Sequence, residues 1–123
     1  MIKNKKILIT GGAGFIGFNL AKKLSNSNKV YIWDNLSRGK KDEEFRNLLT
    51  KKNIFFSNIN LNKIIISKLK NFDFIFHLAG TVGVQNVEKK AFYTFTNNIN
   101  ATTNLINFVK KNNKKAKLII FST

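Results

Sequence analysis

The sequence has no cysteine and no proline among its 123 residues, and it has a single histidine. Without cysteine there is neither a disulfide framework nor a thiolate metal site. One histidine excludes multi-histidine metal centres, and the absence of proline excludes proline-rich linkers. No apolar run approaches the roughly 18 residues of a membrane span. The first such run, Ile7-Leu8-Ile9, stops at Thr10-Gly11-Gly12. A secretory signal needs about 7–15 apolar residues. The expectation is a soluble cytoplasmic protein without membrane attachment. The length fits one domain, residues 1–123, or a piece of one.

Acids are scarce as well: Asp+Glu number 6 against 22 Lys+Arg, for a net charge of +16. Such a charge suggests a polyanionic partner. Three features argue against a specific nucleic-acid site. Lys, Asn, Ile and Phe make up more than half of the chain, and all four have AT-rich codons, so base composition is a sufficient cause. Arginine, the usual bidentate reader of phosphates and bases, occurs only at Arg38 and Arg46. The lysines are also dispersed along the chain, as on a solvated surface.

Short apolar runs alternate with longer amphipathic stretches. Strands are expected at 6–10, 29–33, 53–57, 73–78 and 117–122. Helices are expected at 15–27, with Ile16, Leu20 and Leu24 on one face, and at 42–51 with acids in its first turn. A weaker helix is expected at 61–70, because Ile64-Ile65-Ile66 is β-branched. A long helix is expected at 91–112, with Phe95, Ile99, Thr102, Leu105, Ile106 and Val109 on one stripe. This alternation predicts an α/β fold with a doubly wound parallel sheet of about five strands.

All seven glycines lie beyond the carboxyl ends of expected strands, which is the ligand crevice of an open α/β sheet. Gly11, Gly14 and Gly17 have G-x-x-G-x-x-G spacing between a strand and a helix, and an acid, Asp34, follows about twenty residues on. The spacing has a physical reading. Gly11 permits a tight turn, Gly14 lets backbone approach a pyrophosphate, and Gly17 lets helix pack closely on strand. The amides of Phe15 and Ile16 would face the phosphates from the helix N-terminus. Asp34 would accept from the adenosine ribose hydroxyls and repel a 2′-phosphate, favouring NAD over NADP. Arg38 lies close enough in sequence to soften that preference.

Thr10 to Gly17 (TGGAGFIG), Asp34 to Gly39 (DNLSRG), His77 to Gly80 (HLAG), Asn97 to Leu105 (NNINATTNL) and Ile119 to Thr123 (IIFST) occur in this order. Together they resemble the extended short-chain dehydrogenase/reductase family. The narrower resemblance is to its NAD-dependent nucleotide-sugar epimerases and dehydratases, of the UDP-glucose 4-epimerase type. It covers the whole chain but only the N-terminal part of that fold.

The resemblance implies a set of NAD contacts. Phe15 and Ile16 would meet the pyrophosphate. Asp34, Asn35, Leu36, Ser37, Arg38 and Gly39 would hold the adenosine ribose. Asn58 and Ile59 would border the adenine, Asn58 standing where the family usually has Asp. Leu78, Ala79, Gly80, Thr81 and Val82 would line the cofactor. Asn98 would anchor the long helix beside it, and Ser122 would lie near the nicotinamide. His77 is structural in the family's motif.

The family's catalytic groups are a Ser or Thr just past the fifth strand and a Tyr-x-x-x-Lys pair on the next helix. The only tyrosines here, Tyr31 and Tyr93, have Asn35 and Asn97 four residues on. The chain ends one residue short of the expected Ser or Thr. No catalytic residue is therefore assigned. The resemblance implies the NAD-binding part of a nucleotide-sugar enzyme that acts by transient hydride transfer, with a homodimer common in such parents. A non-catalytic dinucleotide-binding module, or a gene remnant, is the alternative reading. A chain ending at an apolar fifth strand is expected to be marginally stable or to associate.

Overall fold

The structure, a computed structural model, describes residues 1–80 and 91–121. Five strands form one sheet: β1 (Lys6–Thr10), β2 (Lys29–Asp34), β3 (Ile54–Asn58), β4 (Phe74–His77) and β5 (Lys117–Ile120). Their order is β3-β2-β1-β4-β5 and every pairing is parallel. The strands are near-continuous apolar runs because both faces of a parallel sheet are covered. The strand order reverses direction at β1, between β2 and β4, and the crevice of a doubly wound sheet opens there.

Each face of the sheet carries its own core. On one face Ile7, Ile9, Val30, Ile32 and Ile54 pack under helices α1 (Phe15–Leu24) and α2 (Glu43–Leu49). Gly17 and Ala21 are the buried residues of α1. Small residues one turn apart let this helix lie close to the sheet. The expected face is thus turned: Ile16 is 62% exposed, while Leu20 and Leu24 only flank the core. On the other face Leu8, Trp33 and Ile75 pack under α3 (Ala91–Asn112). The ring centroids of Trp33 and Phe108 lie 5.0 Å apart.

The stripe expected on α3 splits in two. Thr94, Ala101, Leu105 and Phe108 face the sheet, whereas Phe95, Ile99 and Ile106 face outward with Phe92. At 22 residues, α3 is long enough to carry an apolar face on each side. Ile120 and Phe121, at the open edge of β5, are also exposed.

The helix expected at 61–70 does not form. Exposure alternates instead: Ile64, Ile66 and Lys68 point out, while Ile65, Ser67 and Leu69 point in. β-Branched residues pack more easily at this period of two. Side chains of α3 also occupy the carbonyls a helix would use. Asn104 Nδ2 donates to Leu61 O at 2.7 Å, and Asn112 Nδ2 donates to Ser67 O at 3.3 Å. Asn113 Nδ2, just past the helix, donates to Leu69 O at 3.1 Å. No helix among the described residues is long and apolar enough to cross a membrane.

Candidate dinucleotide site

The turn after β1 is built by backbone constraint. Gly11 has φ +73°, and a Cβ there would stand 2.7 Å from Ala79 N. Its own N–H donates to Trp33 O at 2.8 Å. A Cβ on Gly17 would collide with the Gly11 carbonyl and with Gly12 Cα. Gly14 differs: a Cβ there would have only Gly11 O nearby, at 3.3 Å. The space beside Gly14 is therefore open toward the crevice, as a close backbone approach to a ligand requires.

The two helix starts differ in the same sense. At α2, Asp42 Oδ1 accepts from Phe45 N at 2.8 Å, and Glu43 and Glu44 occupy the first turn. At α1 the cap is Gly14, no side chain caps the helix, and the first turn holds no acid. The first-turn amides of α1 are left for a partner outside the helix. Uncapped amides and the helix dipole favour an anion there. Phe15, the first residue of α1, is 86% exposed.

Asp34 ends β2 and is 8% exposed. Its Oδ2 accepts from Ala13 N at 3.0 Å, and Oδ1 accepts from Leu36 N at 2.7 Å. The carboxylate thus ties the glycine turn to the loop after β2. An ionised carboxylate has about four acceptor sites, so both oxygens can still accept from hydroxyls. Leu36 sits at φ +59°, a left-handed conformation that a leucine rarely adopts. Ser37 N donates to Asn35 Oδ1 at 3.0 Å. Gly39 packs against Ala13, where a Cβ would come within 2.6 Å of the Ala13 methyl.

The other expected contacts converge on the same edge. Asn58 pairs in register with Asp34, and Ile59 N donates to Asp34 O at 3.2 Å. Leu78 N donates to Thr10 O at 3.1 Å, and Ala79 N to Thr10 Oγ1 at 3.3 Å. Asn98 Oδ1 would lie 3.5 Å from a Cβ on Gly80. A hollow of about 380 Å³ beside it is lined by Phe95, Asn98, Ile99, Thr102 and Thr103. Thr81, Val82 and Ser122 lie outside the described residues.

Two residues at this edge have no site role in the sequence reading. Thr10 and Thr102 clasp the ring of His77, with Thr10 Oγ1 2.7 Å from Nδ1 and Thr102 Oγ1 2.9 Å from Nε2. A hydroxyl that ends an otherwise apolar strand was the available signal. His77 is 3% exposed, and burial lowers its pKa from the ordinary 6.5.

The model of the NAD-dependent epimerase/dehydratase family matches residues 7–123. A UDP-N-acetyl-alpha-D-glucosaminuronate decarboxylase from Bacillus cytotoxicus is 35% identical over 121 residues, which is 97% of this chain and 36% of that protein. The UDP-N-acetylglucosamine 4-epimerase of Methanobrevibacter ruminantium, solved with UDP-N-acetylmuramic acid, aligns with TM-score 0.76 and 36% identity. That alignment covers 91% of this chain and 36% of the other. The Bordetella bronchiseptica enzyme WbmF, solved with NAD+, aligns with TM-score 0.82 and 28% identity, over 96% of this chain and 36% of the other. The chain thus spans about a third of the length of these relatives.

Proposed function

The chain belongs to the NAD-dependent epimerase/dehydratase family, and we propose that its crevice binds NAD. The observation that carries this reading is the uncapped start of α1 over the open space at Gly14, with Asp34 across the turn. The residues fit the dinucleotide. Amides of Phe15 and Ile16 take the pyrophosphate. Asp34 takes the adenosine ribose, with the loop Asn35–Gly39 around it. Asn58 and Ile59 border the adenine; the carboxamide of Asn58 still offers an acceptor to an amino group. Leu78, Ala79 and Gly80 line the cofactor and Asn98 anchors α3 beside it; Thr81, Val82 and Ser122, which the resemblance also implies, lie outside the described residues. NAD, when bound, supplies a reversible hydride acceptor; this chain's residues bind and orient it.

The parent activity that this reading supports is epimerisation or dehydration of a nucleotide sugar in the cytoplasm. The outward stripe of α3, Phe92, Phe95, Ile99 and Ile106, supports a homodimer contact in that parent. The dispersed lysines support no specific nucleic-acid partner. Two measurements test the proposal. Calorimetric titration should give NAD at least tenfold tighter binding than NADP, because Asp34 repels a 2′-phosphate; equal affinities refute the role of Asp34. The coding DNA past codon 123 should continue into a Ser or Thr and then Tyr-x-x-x-Lys. A stop codon there refutes the catalytic parent and leaves the NAD site standing.

A further inference from the structure

We propose that His77 is a positioning residue of the dinucleotide site, which ties the turn after β1 and the loop after β4 to α3 only while its ring is neutral. The proposal rests on the reading that this crevice takes NAD. His77 is the last residue of β4 and directly precedes Leu78-Ala79-Gly80. Both ring nitrogens are engaged, one with β1 through Thr10 and the other with α3 through Thr102. Thr10 in turn receives the N–H groups of both Leu78 and Ala79 and directly precedes Gly11. The peptide of Ala79 is what Gly11 packs against. One imidazole therefore holds together the two loops that face the cofactor.

Thr10 Oγ1 accepts the Ala79 N–H and keeps one further acceptor site and its own hydrogen, so either neutral tautomer of His77 fits between the two hydroxyls. In either one, a ring nitrogen accepts from a threonine hydroxyl. A ring protonated on both nitrogens has no acceptor left. That hydroxyl's hydrogen would have to turn away, and a charge would be placed in the interior.

Nothing charged among the described residues faces the ring to compensate. On β1 the nearest charged group is Lys6, at the opposite end of the strand. Asp73 precedes the far end of β4, and Lys117 starts β5. Beyond Thr10, β2 contributes Trp33 in register, and the carboxylate of Asp34 is turned to Ala13 and Leu36. On α3 no charged residue occurs before Lys110, about two turns past Thr102, and Tyr93 is on the exposed side. Burial is the cause of the lowered pKa, which keeps the ring neutral at neutral pH and makes its protonation costly to the site.

The chain has one histidine, so its ring can be followed by NMR without assignment ambiguity. The test titrates the full chain from pH 8 to pH 5, with and without NAD. It also follows amide exchange at Leu78 and Ala79 relative to Ile75, corrected for intrinsic rates. The expected result is a ring midpoint below 6.5, with Leu78 and Ala79 losing protection below it while Ile75 keeps its own. NAD should lower the midpoint further, and its Kd should rise by up to about tenfold per pH unit below it. His77→Gln, whose carboxamide donates and accepts but does not titrate, should bind NAD without that slope.

Unchanged protection at Leu78 and Ala79 across the midpoint overturns the proposal. So does NAD affinity equal on both sides of it, or a slope that persists in His77→Gln. If His77→Gln does not fold, the two wild-type titrations decide. If NAD fails to bind even at pH 8, the cofactor reading falls, and the exchange data alone decide whether His77 holds the loops.

Discussion

At the carboxyl end of the sheet, Gly11, Gly14 and Gly17 shape a turn whose following helix starts without a side-chain cap. At the amino end, asparagine carboxamides cover the backbone. Asn28 Oδ1 accepts from Lys5 N at 3.0 Å, and its Nδ2 donates to Ile2 O and Leu24 O at 3.0 and 2.9 Å. Asn53 Nδ2 donates to Ser25 O at 2.6 Å and to Asn28 O at 2.7 Å. Asn113 Oδ1 accepts from Phe72 N at 3.0 Å, and its Nδ2 donates to Leu69 O. Buried backbone groups left unpaired cost about 1–3 kcal/mol each. One end meets that cost with its own side chains. The other leaves donors bare, which is tolerable where solvent or a ligand supplies the acceptor.

The comparison breaks first at Gly17. Gly17→Val drives side-chain carbon into the Gly11 carbonyl and Gly12, and nothing there is a flexible side-chain tip. Urea denaturation should show a loss of about 3 kcal/mol or more, and NAD binding should go with it. Asn113→Ala acts at the other end. It strips Phe72 N and Leu69 O of their partners, so stability should fall by about 2 kcal/mol. NAD affinity at pH 8 should not change, because this residue lies across the sheet from the crevice.

A smaller effect should follow from His77. Its folded-state pKa lies below 6.5, so below that pH the unfolded chain takes up the proton more readily. The stability associated with the neutral ring is complete above pH 6.5 and declines as pH falls through it. The urea midpoint should be level from pH 8 to 6.5, then drop, and be level through 6.5 in His77→Gln. Gly14→Ala should have the smallest effect on folding, under about 1 kcal/mol, since its methyl needs only a slight adjustment of Gly11 O. NAD binding should nevertheless weaken, because that methyl enters the space proposed for the pyrophosphate. A Gly14→Ala variant that unfolds, or that binds NAD as tightly as wild type, removes the distinction between packing glycines and ligand glycines.

The crevice end was readable from sequence because glycine, helix start and acid occur at spacings fixed by one geometry. The parallel sheet was readable for the same kind of reason, since strands covered on both faces become continuous apolar runs. The amino end was not readable. Asparagine was attributed to base composition, which accounts for its abundance but not for where Asn28, Asn53 and Asn113 stand. Apart from the bond of Asn28 to Leu24 O, these bonds reach 23 to 44 residues along the chain, and local patterns do not report such partners. The segment 61–70 was misread for a related reason. Its β-branched run Ile64-Ile65-Ile66 only weakens the expected helix and does not by itself replace it with extended chain. The asparagines of α3 that hold it extended are distant in sequence. His77 was read as structural, and its burial agrees; its two threonine partners needed the fold.

The central claim is that the bare amides over Gly14, with Asp34 opposite, make a dinucleotide site rather than a general basic surface. Calorimetric titration of NAD into the wild-type chain and into Asp34→Ala, each at about 50 and 200 mM salt, tests it most directly. The account predicts saturable one-to-one binding that changes little with salt and weakens at least tenfold in Asp34→Ala. Binding that collapses with salt and is indifferent to Asp34, as counterion release from scattered lysines would give, contradicts it.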